Sequence, residues 1–220
     1  MKQLPSNLPK NPLPTFEKWL NEAKGDGVLP NPDAMALATV NAEGRSSTRI
    51  VLCKQLVIDP GYLVFYSNYE SSKGEDIDTN NAVSGAFHWD HLNTQVRFEG
   101  LAMRSPAEES DAYFKTRDKE SQIGAWSSAQ SKPIRNRRML KDKHVATTRK
   151  LVDLAVKTGK MDIPRPPFWG GYRIWLSALE LWVRGDARLH DRGRWERPLD
   201  AGTENEDYIP GSWKSTRIQP

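Results

Sequence analysis

The sequence predicts a mainly β protein, an antiparallel, Greek-key-like barrel with peripheral helices. Strand-like apolar runs recur along the first half of the chain, at 35–40, 48–56, 62–67, 83–89 and 94–103. Turn-forming residues at 41–44 and 59–61 join successive runs. The run at 94–103 alternates apolar and polar residues, as a strand with one buried face does. Short links between strands favour a meander that closes into a barrel.

Helices are expected around this barrel, at 14–23, 71–79, 106–116 and 136–157. For the third, Ser105 should be the N-cap, Pro106 the first helical residue, and Glu108 should reach back to the cap. The proline-rich stretch 163–167 should end the fourth helix before two or three final strands.

The domain organisation follows from the length. A chain of 220 residues, 37% hydrophobic and 27% charged, suits a single domain over 1–220. We expect a flexible N-terminus over 1–12 and an extended C-terminal segment over 199–220. That segment includes the polar residues 202–207 and resembles a loop insertion before a last strand at 213–218.

Composition narrows the environment and the partners. A net charge of +4 suits anionic small ligands as well as nucleic acid. The single cysteine, Cys53, excludes an internal disulfide and a multi-cysteine metal cluster, and favours a reducing compartment. Because the N-terminus lacks an apolar signal core and no apolar run approaches the ~20 residues that span a bilayer, we expect a cytoplasmic, soluble protein without membrane contact.

The stretch 188–192 is the most informative. Read as a strand, it places Arg188, His190 and Arg192 on one face, and Leu189 and Asp191 on the other. Two guanidiniums and an imidazole on one face indicate an anion site. The alternative is an exposed edge strand whose charges are solvated.

A second cationic pattern lies in the run 49–54. Arg49 and Lys54 flank apolar residues, and their odd separation places them on opposite strand faces unless a bulge intervenes. They should therefore serve different anionic groups. Pairing with a ligand is expected because an unpaired charge in a buried strand is costly. The alternative is that both side chains extend to solvent at the barrel ends.

Two further groups could hold a phosphate. Tyr113, Arg117 and Ser121 are four residues apart and would share a face if the helix continues that far. Alternatively they are an ordinary helix surface. In 71–74, serine hydroxyls, Lys73 and a helix N-terminus could converge on an anion, although an ordinary serine cap is the simpler explanation.

Other site classes find little support. The basic helix at 136–157 lacks the interleaved aromatic residues and motif spacings of nucleic-acid binders, which favours a solvated helix face and no nucleic-acid partner. The four histidines show no paired ligand spacing, so no metal site is expected. No glycine-rich nucleotide loop is present, so side chains must hold any phosphate.

Several of these segments, in this order, carry a family resemblance. The chain resembles the pyridoxine/pyridoxamine 5′-phosphate oxidases, FMN-dependent enzymes that make pyridoxal 5′-phosphate, over about 14–197. The resemblance implies a split-barrel flavin fold and a homodimer with two active sites at the subunit interface. It is carried by the motifs at 49–54, 65–68, 95–100, 121–126, 130–131, 168–171 and 188–192.

The resemblance also implies roles for individual residues. The substrate phosphate would contact Lys54, Tyr113, Arg117 and Ser121. Arg188 and His190 would be the catalytic residues beside the pyridine ring, with Arg188 nearest the reacting carbon and His190 orienting the substrate. FMN would contact Arg49, Ile50, Val51, Leu52, Lys54, Tyr66, Ser67, Lys73, Gln95, Gln130, Ser131, Trp182 and Arg192.

The implied reaction is hydride transfer from the substrate's C4′ to flavin N5, followed by reoxidation by O2 to give H2O2. Some positions depart from the family pattern. Ser72 stands where an arginine is common, Val183 and Arg184 replace glutamine and glycine, and no arginine–tyrosine lid segment precedes Pro14. Two alternatives therefore stay open: a related flavin oxidase for another substrate, as in phenazine biosynthesis, or a non-catalytic protein that binds FMN or pyridoxal phosphate.

Overall fold

The computed structural model describes residues 2–159, 162–202 and 207–220. Its helices are α1 (Leu13–Gly25), α2 (Ser72–Thr79), α3 (Ala107–Thr116), α4 (Lys119–Ser127) and α5 (Arg137–Thr158). Its strands are β1 (Ala34–Val40), β2 (Ser46–Leu52), β3 (Gln55–Val57), β4 (Tyr62–Asn68), β5 (Ala82–Trp89), β6 (Thr94–Arg104), β7 (Trp169–Val183), β8 (Asp191–Glu196), β9 (Leu199–Ala201), β10 (Tyr208–Pro210) and β11 (Lys214–Arg217).

Most strands form one antiparallel sheet that curls into a half-barrel. Its order is β11-β8-β7-β6-β5-β1-β2, and β4 pairs with both β7 and β3. The long strand β7 therefore has β6 along one edge, with β4 on its first half and β8 on its second half along the other. This architecture confirms the predicted class, a mainly β barrel with peripheral helices.

The core fills the concave side of this sheet. Helix α1 covers one end, because Leu13, Phe16 and Leu20 recur at helical spacing and are all buried. The Phe16 ring lies 5.1 Å from the ring of Phe87 in β5. Full burial of each such side chain contributes roughly 1.5 to 3 kcal/mol. The predicted helix at 14–23 is thus confirmed and is fixed by tertiary packing.

The expected strand at 48–56 is two strands. β2 ends at Leu52 and β3 begins at Gln55. Between them, the Cys53 amide donates to the Asp33 carbonyl and the Lys54 amide to the Val64 carbonyl. The chain changes pairing partner here, from β1 to β4, and this long-range change breaks a run that looks continuous in sequence.

The expectations for 105–121 were partly wrong. Pro106 is the N-cap of α3, and the Ser105 hydroxyl donates to the Glu109 carboxylate at 3.2 Å, so the predicted cap with Glu108 does not form. Helix α3 ends at Thr116 because Arg117 adopts extended backbone angles. A separate helix, α4, then starts under an Asp118 cap. Tyr113, Arg117 and Ser121 therefore do not share one helix face.

The strand interpretation of 188–192 was also wrong. Residues 186–188 form a short 3-10 turn, and the strand β8 begins only at Asp191. Ala187 and Arg188 have φ values of 49° and 65°, in the left-handed region. Arg188, His190 and Arg192 therefore do not line one strand face.

The chain ends pack against each other. Five strands, β7 to β11, follow the proline-rich stretch in the described residues, more than the two or three expected. The last expected strand is confirmed as β11, whereas residues 203–206 of the expected insertion lie outside the described residues. Near the N-terminus, the Leu4 amide donates to the Asp191 carboxylate at 2.7 Å, and the Trp195 indole donates to the Pro9 carbonyl. The flexibility of residues 1–12 stays a prediction.

Helix α5 lies at the surface, and its basic side chains are exposed or half-exposed where the structure describes them. No helix in the described ranges is long and apolar enough to cross a membrane.

A glycine at the β6–β7 bulge should be essential for pairing. A Cβ on Gly100 would lie 2.1 Å from the Trp175 carbonyl oxygen, next to the register shift between Glu99 and Gly100. We expect Gly100→Ala to lower the free energy of unfolding by about 1 to 3 kcal/mol in urea titrations. Gly124→Ala is the matched control, because a Cβ there meets nothing within 4 Å and alanine favours the helix. Equal effects of the two substitutions would contradict this account.

Candidate active site

An open cavity of about 330 Å³ lies between β2, β4 and the ends of α2 and α3. Ten of the residues expected to bind cofactor or substrate line it, together with Trp169. These ten are Ile50, Val51, Leu52, Lys54, Tyr66, Ser67, Lys73, Tyr113, Arg117 and Gln130. The structure therefore gathers these ten candidates around one space.

Lys73 provides the buried positive charge of this cavity. Its ammonium donates to the hydroxyls of Ser67 and Ser71, at 2.7 and 2.8 Å, and to the side-chain oxygen of Gln130 at 2.7 Å. All three partners are neutral. Burial, with the nearby Arg49 charge, lowers the pKa of Lys73 to about 8. An anion placed here would supply the missing counter-charge.

Arg49 lies beside Lys73 but does not line the cavity itself. Its guanidinium donates to the Thr39 hydroxyl at 2.7 Å and lies 3.9 Å from the Asp76 carboxylate. Burial lowers the pKa of Arg49, and Asp76 opposes that shift. One carboxylate therefore stands against two neighbouring cations, which leaves the region net positive.

Lys54 occupies a different part of the cavity wall. It lies outside both strands, and its ammonium pairs with the Asp33 carboxylate at 2.8 Å. Arg49 and Lys54 thus contact different protein groups. Whether they also serve different ligand groups stays a prediction.

An aromatic stack forms another part of the cavity wall. The rings of Tyr66 and Tyr113 lie 3.8 Å apart and within 10° of parallel. The Trp169 ring follows at 5.6 Å from Tyr66, at an interplanar angle of 12°. Burial raises the pKa of Tyr66, so its phenol stays protonated and can donate a hydrogen bond.

Arg117 joins this cavity to a smaller one of about 230 Å³, which Ser121 also lines. Tyr113 lines the larger cavity, Ser121 lines the smaller one, and Arg117 lines both. The three residues thus lie near one another, although they do not share a helix face. The Arg117 guanidinium lies 4.6 Å from the Trp169 ring centroid, and its Nη1 is buried without a hydrogen-bond partner in the described part of the chain. Burial lowers the pKa of Arg117. A half-buried guanidinium with a free donor fits an anionic ligand.

Three other candidates lie elsewhere. Gln95, Trp182 and Arg192 are cross-strand neighbours in β6, β7 and β8. None of them lines the 330 Å³ cavity. Arg192 donates through Nε to the buried Glu180 carboxylate at 2.9 Å. Within one chain, the structure therefore does not bring this row together with Lys73 and Arg117.

The loop after β7 holds the two expected catalytic residues. His190 lies with its ring 4.7 Å from the Trp182 ring, and its Nδ1 accepts from the Gly185 amide at 3.3 Å. A neutral His190 therefore carries its proton on Nε2. Arg188 is exposed, and its guanidinium has no hydrogen-bond or ion-pair partner among the residues that the structure describes. Both side chains are available to a ligand.

Some candidates and partners were placed differently or missed. Ser131 follows Gln130 on an exposed turn and lines neither cavity. Trp169, which lines both, was given no role from sequence. The signal was the pair of glycines after it, because a Cβ on Gly171 would lie 3.0 Å from Cε1 of Tyr66. Asp33 and Asp76, the partners of the two flanking cations, gave no sequence signal.

Fold and site together define an anion-binding split-barrel protein. Two family models match this chain. "Pyridoxamine 5′-phosphate oxidase" matches residues 22–149, and "Pyridoxine 5′-phosphate oxidase C-terminal dimerisation region" matches residues 169–220. The chain belongs to the pyridoxamine 5′-phosphate oxidase family.

Individual relatives agree with this membership. A pyridoxine/pyridoxamine 5′-phosphate oxidase from Rubrobacter xylanophilus is 41% identical over 96% of this chain and 87% of the relative. One from Cupriavidus taiwanensis is 40% identical over 98% of this chain and 92% of its own length. A solved structure of PhzG from Burkholderia lata, in complex with tetrahydrophenazine-1-carboxylic acid, has a TM-score of 0.80 and 27% identity. It covers 96% of this chain and 94% of that one.

Titration of Lys73 should make stability depend on pH. Its ordinary pKa is 10.5 and its folded-state pKa about 8. Between these values the unfolded chain binds the proton and the folded chain does not, so stability rises with pH. Without flavin or phosphate, the stability of the wild type relative to Lys73→Met should rise by about 1 to 3 kcal/mol from about pH 8 to about pH 10. Parallel stability curves for the two proteins would refute this assignment.

Proposed function

We propose that this protein is an FMN-dependent oxidase that converts pyridoxamine 5′-phosphate and pyridoxine 5′-phosphate into pyridoxal 5′-phosphate. The observation that carries the proposal is the cavity that groups Lys54, Lys73, Tyr113 and Arg117. Two phosphate-bearing ligands, a flavin and a vitamin phosphate, would each need a cationic anchor. Membership of the oxidase family supports the same reaction.

The residues present fit FMN. Lys73, buried among neutral partners beside Arg49, suits the flavin phosphate, and the hydroxyls of Ser67 and Ser71 already point at its ammonium. The exposed Ile50 side chain, with Val51 and Leu52, offers an apolar edge for the ring system. Ser72 lacks the positive charge common at this position, so Lys73 carries more of the phosphate binding.

The substrate phosphate fits the second group of cations. Arg117 offers an unpaired buried Nη1, and Tyr113 and Ser121 add hydroxyl donors at the adjoining cavities. Lys54 lines the same cavity and could exchange its Asp33 partner for a phosphate oxygen. These contacts would bind the substrate and hold it in one orientation.

The cofactor and the side chains divide the chemistry. When bound, FMN would accept hydride at N5 from the substrate's C4′ and pass the electrons to O2, giving H2O2. Arg188 would hold the electron-rich oxygen or nitrogen at C4′ in line. His190, with its proton on Nε2, would donate a hydrogen bond that orients the pyridine ring. The protein's contribution is thus alignment and charge.

The two groups of residues indicate that each active site needs two chains. Trp169 and Trp182 stand 13 residues apart on β7, which is up to about 43 Å along an extended strand. In a two-fold dimer, the loop and the row Gln95–Trp182–Arg192 of one copy could face the cavity of the other. The match of residues 169–220 to a dimerisation region supports this arrangement. We place the enzyme in the cytoplasm, which suits its single buried thiol, Cys53.

A flavin oxidase for another substrate is the second candidate. The likeness to the PhzG structure favours it, because that protein holds a carboxylic acid and not a vitamin phosphate. The cation set around Arg117 favours a phosphate instead. The third option is a protein that binds these ligands without catalysis. It would show no turnover, whereas either oxidase would turn over its own substrate.

Anaerobic reduction tests the activity directly. The protein is loaded with FMN, mixed with pyridoxine 5′-phosphate without oxygen, and followed by flavin absorbance. We expect the flavin band to bleach, to return on admission of air, and pyridoxal 5′-phosphate to form. If FMN binds but its absorption band does not bleach, the protein either oxidises another substrate or binds its ligands without catalysis.

Complementation tests the shared site. Arg117→Ala changes the cavity and Arg188→Met the loop, so each homodimer should have low activity at substrate concentrations below KM. A mixed dimer should contain one intact site and one doubly changed site. Co-expression should therefore restore about a quarter of wild-type activity, since about half of the dimers are mixed.

The matched control places both substitutions in one chain and co-expresses it with the wild type. If sites are shared, every site in that mixed dimer has one changed group, and only wild-type homodimers are active. With shared sites this co-expression should give about a quarter of wild-type activity, whereas sites built by one chain would give about half. A value of about half, with no recovery from the two single variants, would show that one chain supplies the whole site.

A further inference from the structure

We propose that Trp169 is a positioning residue, which fixes the guanidinium of Arg117 and the phenol of Tyr113 for the phosphate of the ligand. This inference rests on the proposed function and adds to it a residue outside the set expected to contact cofactor or substrate. Trp169 is the first residue of β7, is only 7% exposed, and lines both cavities that Arg117 joins.

The first argument is the contact with Arg117. The guanidinium lies over the Trp169 ring at 4.6 Å and near the Phe114 ring at 5.7 Å. Its Nη1 is buried without a hydrogen-bond partner. Ring faces, and not a carboxylate, therefore define its orientation. A guanidinium held this way keeps its donors free for an anion and loses less rotamer entropy when the anion binds.

The second argument is the stack of three nearly parallel rings. Trp169 and Tyr113 are within 7° of parallel at 6.3 Å, and Tyr66 lies against both. Tyr113 is an expected phosphate contact and Tyr66 an expected flavin contact. One indole therefore sets the relative position of groups assigned to two ligands, which favours a fixed spacing between them.

The third argument is that Trp169 is held independently of any ligand. Its amide donates to the Pro166 carbonyl at 3.1 Å, and its carbonyl accepts from Arg165 Nη1 at 2.6 Å. Arg165 is fixed in turn by Asp111, at 2.6 Å. The next residue, Gly170, allows the Tyr69 phenol to approach, since a Cβ there would lie 2.0 Å from its oxygen. The backbone that carries the indole is thus held by contacts that involve no ligand.

A double-mutant cycle tests the proposal on the FMN-loaded protein. The probe is 4-deoxypyridoxine 5′-phosphate, which carries a methyl group at the reacting carbon and binds without turnover. Its dissociation constant is measured by calorimetry for wild type, Trp169→Leu, Arg117→Ala and the double variant. We expect Trp169→Leu to weaken binding about tenfold in the wild-type background and less than twofold in the Arg117→Ala background.

Rescue and control variants separate positioning from general damage. Trp169→Phe keeps a ring face and should restore binding to within about threefold of wild type. Trp126→Leu is the matched control, because Trp126 packs on Phe168 and lines neither cavity. It should leave the dissociation constant unchanged.

Independent, multiplicative effects of the two substitutions would overturn the proposal, because the indole would then act without Arg117. An unchanged affinity in Trp169→Leu would overturn it as well. If Arg117→Ala itself leaves binding unchanged, the phosphate anchor in the proposed function is wrong and the inference falls with it. If Trp169→Leu does not fold, Trp169→Phe replaces it in the same cycle, with an expected loss of two- to threefold that Arg117→Ala abolishes.

Discussion

The length and double pairing of β7 are the constraint on which the rest of the structure depends. This strand of 15 residues pairs along one edge with β6 and along the other with β4 and then β8. Its first residue, Trp169, stands at the cavity, whereas Trp182 stands at the far end beside the loop that carries Arg188. An extended strand cannot fold back on itself, so one chain presents its two groups of ligand residues separately. The length of β7 therefore supports the proposal that a second copy completes the site.

Unpaired positive charge is the second organising feature. Lys73 and Arg117 both have burial-lowered pKa values, and neither forms an ion pair with a carboxylate among the residues that the structure describes. By contrast, Lys54 and Arg192 are paired with the carboxylates of Asp33 and Glu180. Cations without counter-ions reduce the stability of the free protein. In this fold they lie where an anionic ligand would offset the cost of their desolvation. This pattern distinguishes a binding site from a structural ion-pair network.

Local periodicity predicted much of the fold, and long-range contacts decided the rest. Helix α1 and the alternating strand β6 followed from their spacing alone. The break at Cys53 depends on hydrogen bonds to Asp33 and Val64, and the turn at Arg188 depends on a left-handed backbone, so neither was visible locally. For the site, charge and spacing indicated Lys73 and Arg117, but only the family resemblance supplied apolar members such as Ile50. Neither the charge pattern nor the family resemblance assigned a role to Trp169, because its proposed role depends on rings from segments that are distant in sequence.

Hydrogen bonds from both ends of the chain hold the segment 188–192 in place without a ligand. Arg188 is exposed and has a left-handed backbone, which alone would leave its position poorly defined. Directly after it, however, the Asp191 carboxylate accepts from the Leu4 amide and from Arg217 in β11. The Arg192 guanidinium donates to the Gln219 carbonyl at 2.9 Å. Both ends of the chain thus hold the base of this loop. The N-terminal segment thus contacts β8 directly, and the start of β8 after Arg188 is held by contacts that do not involve any ligand.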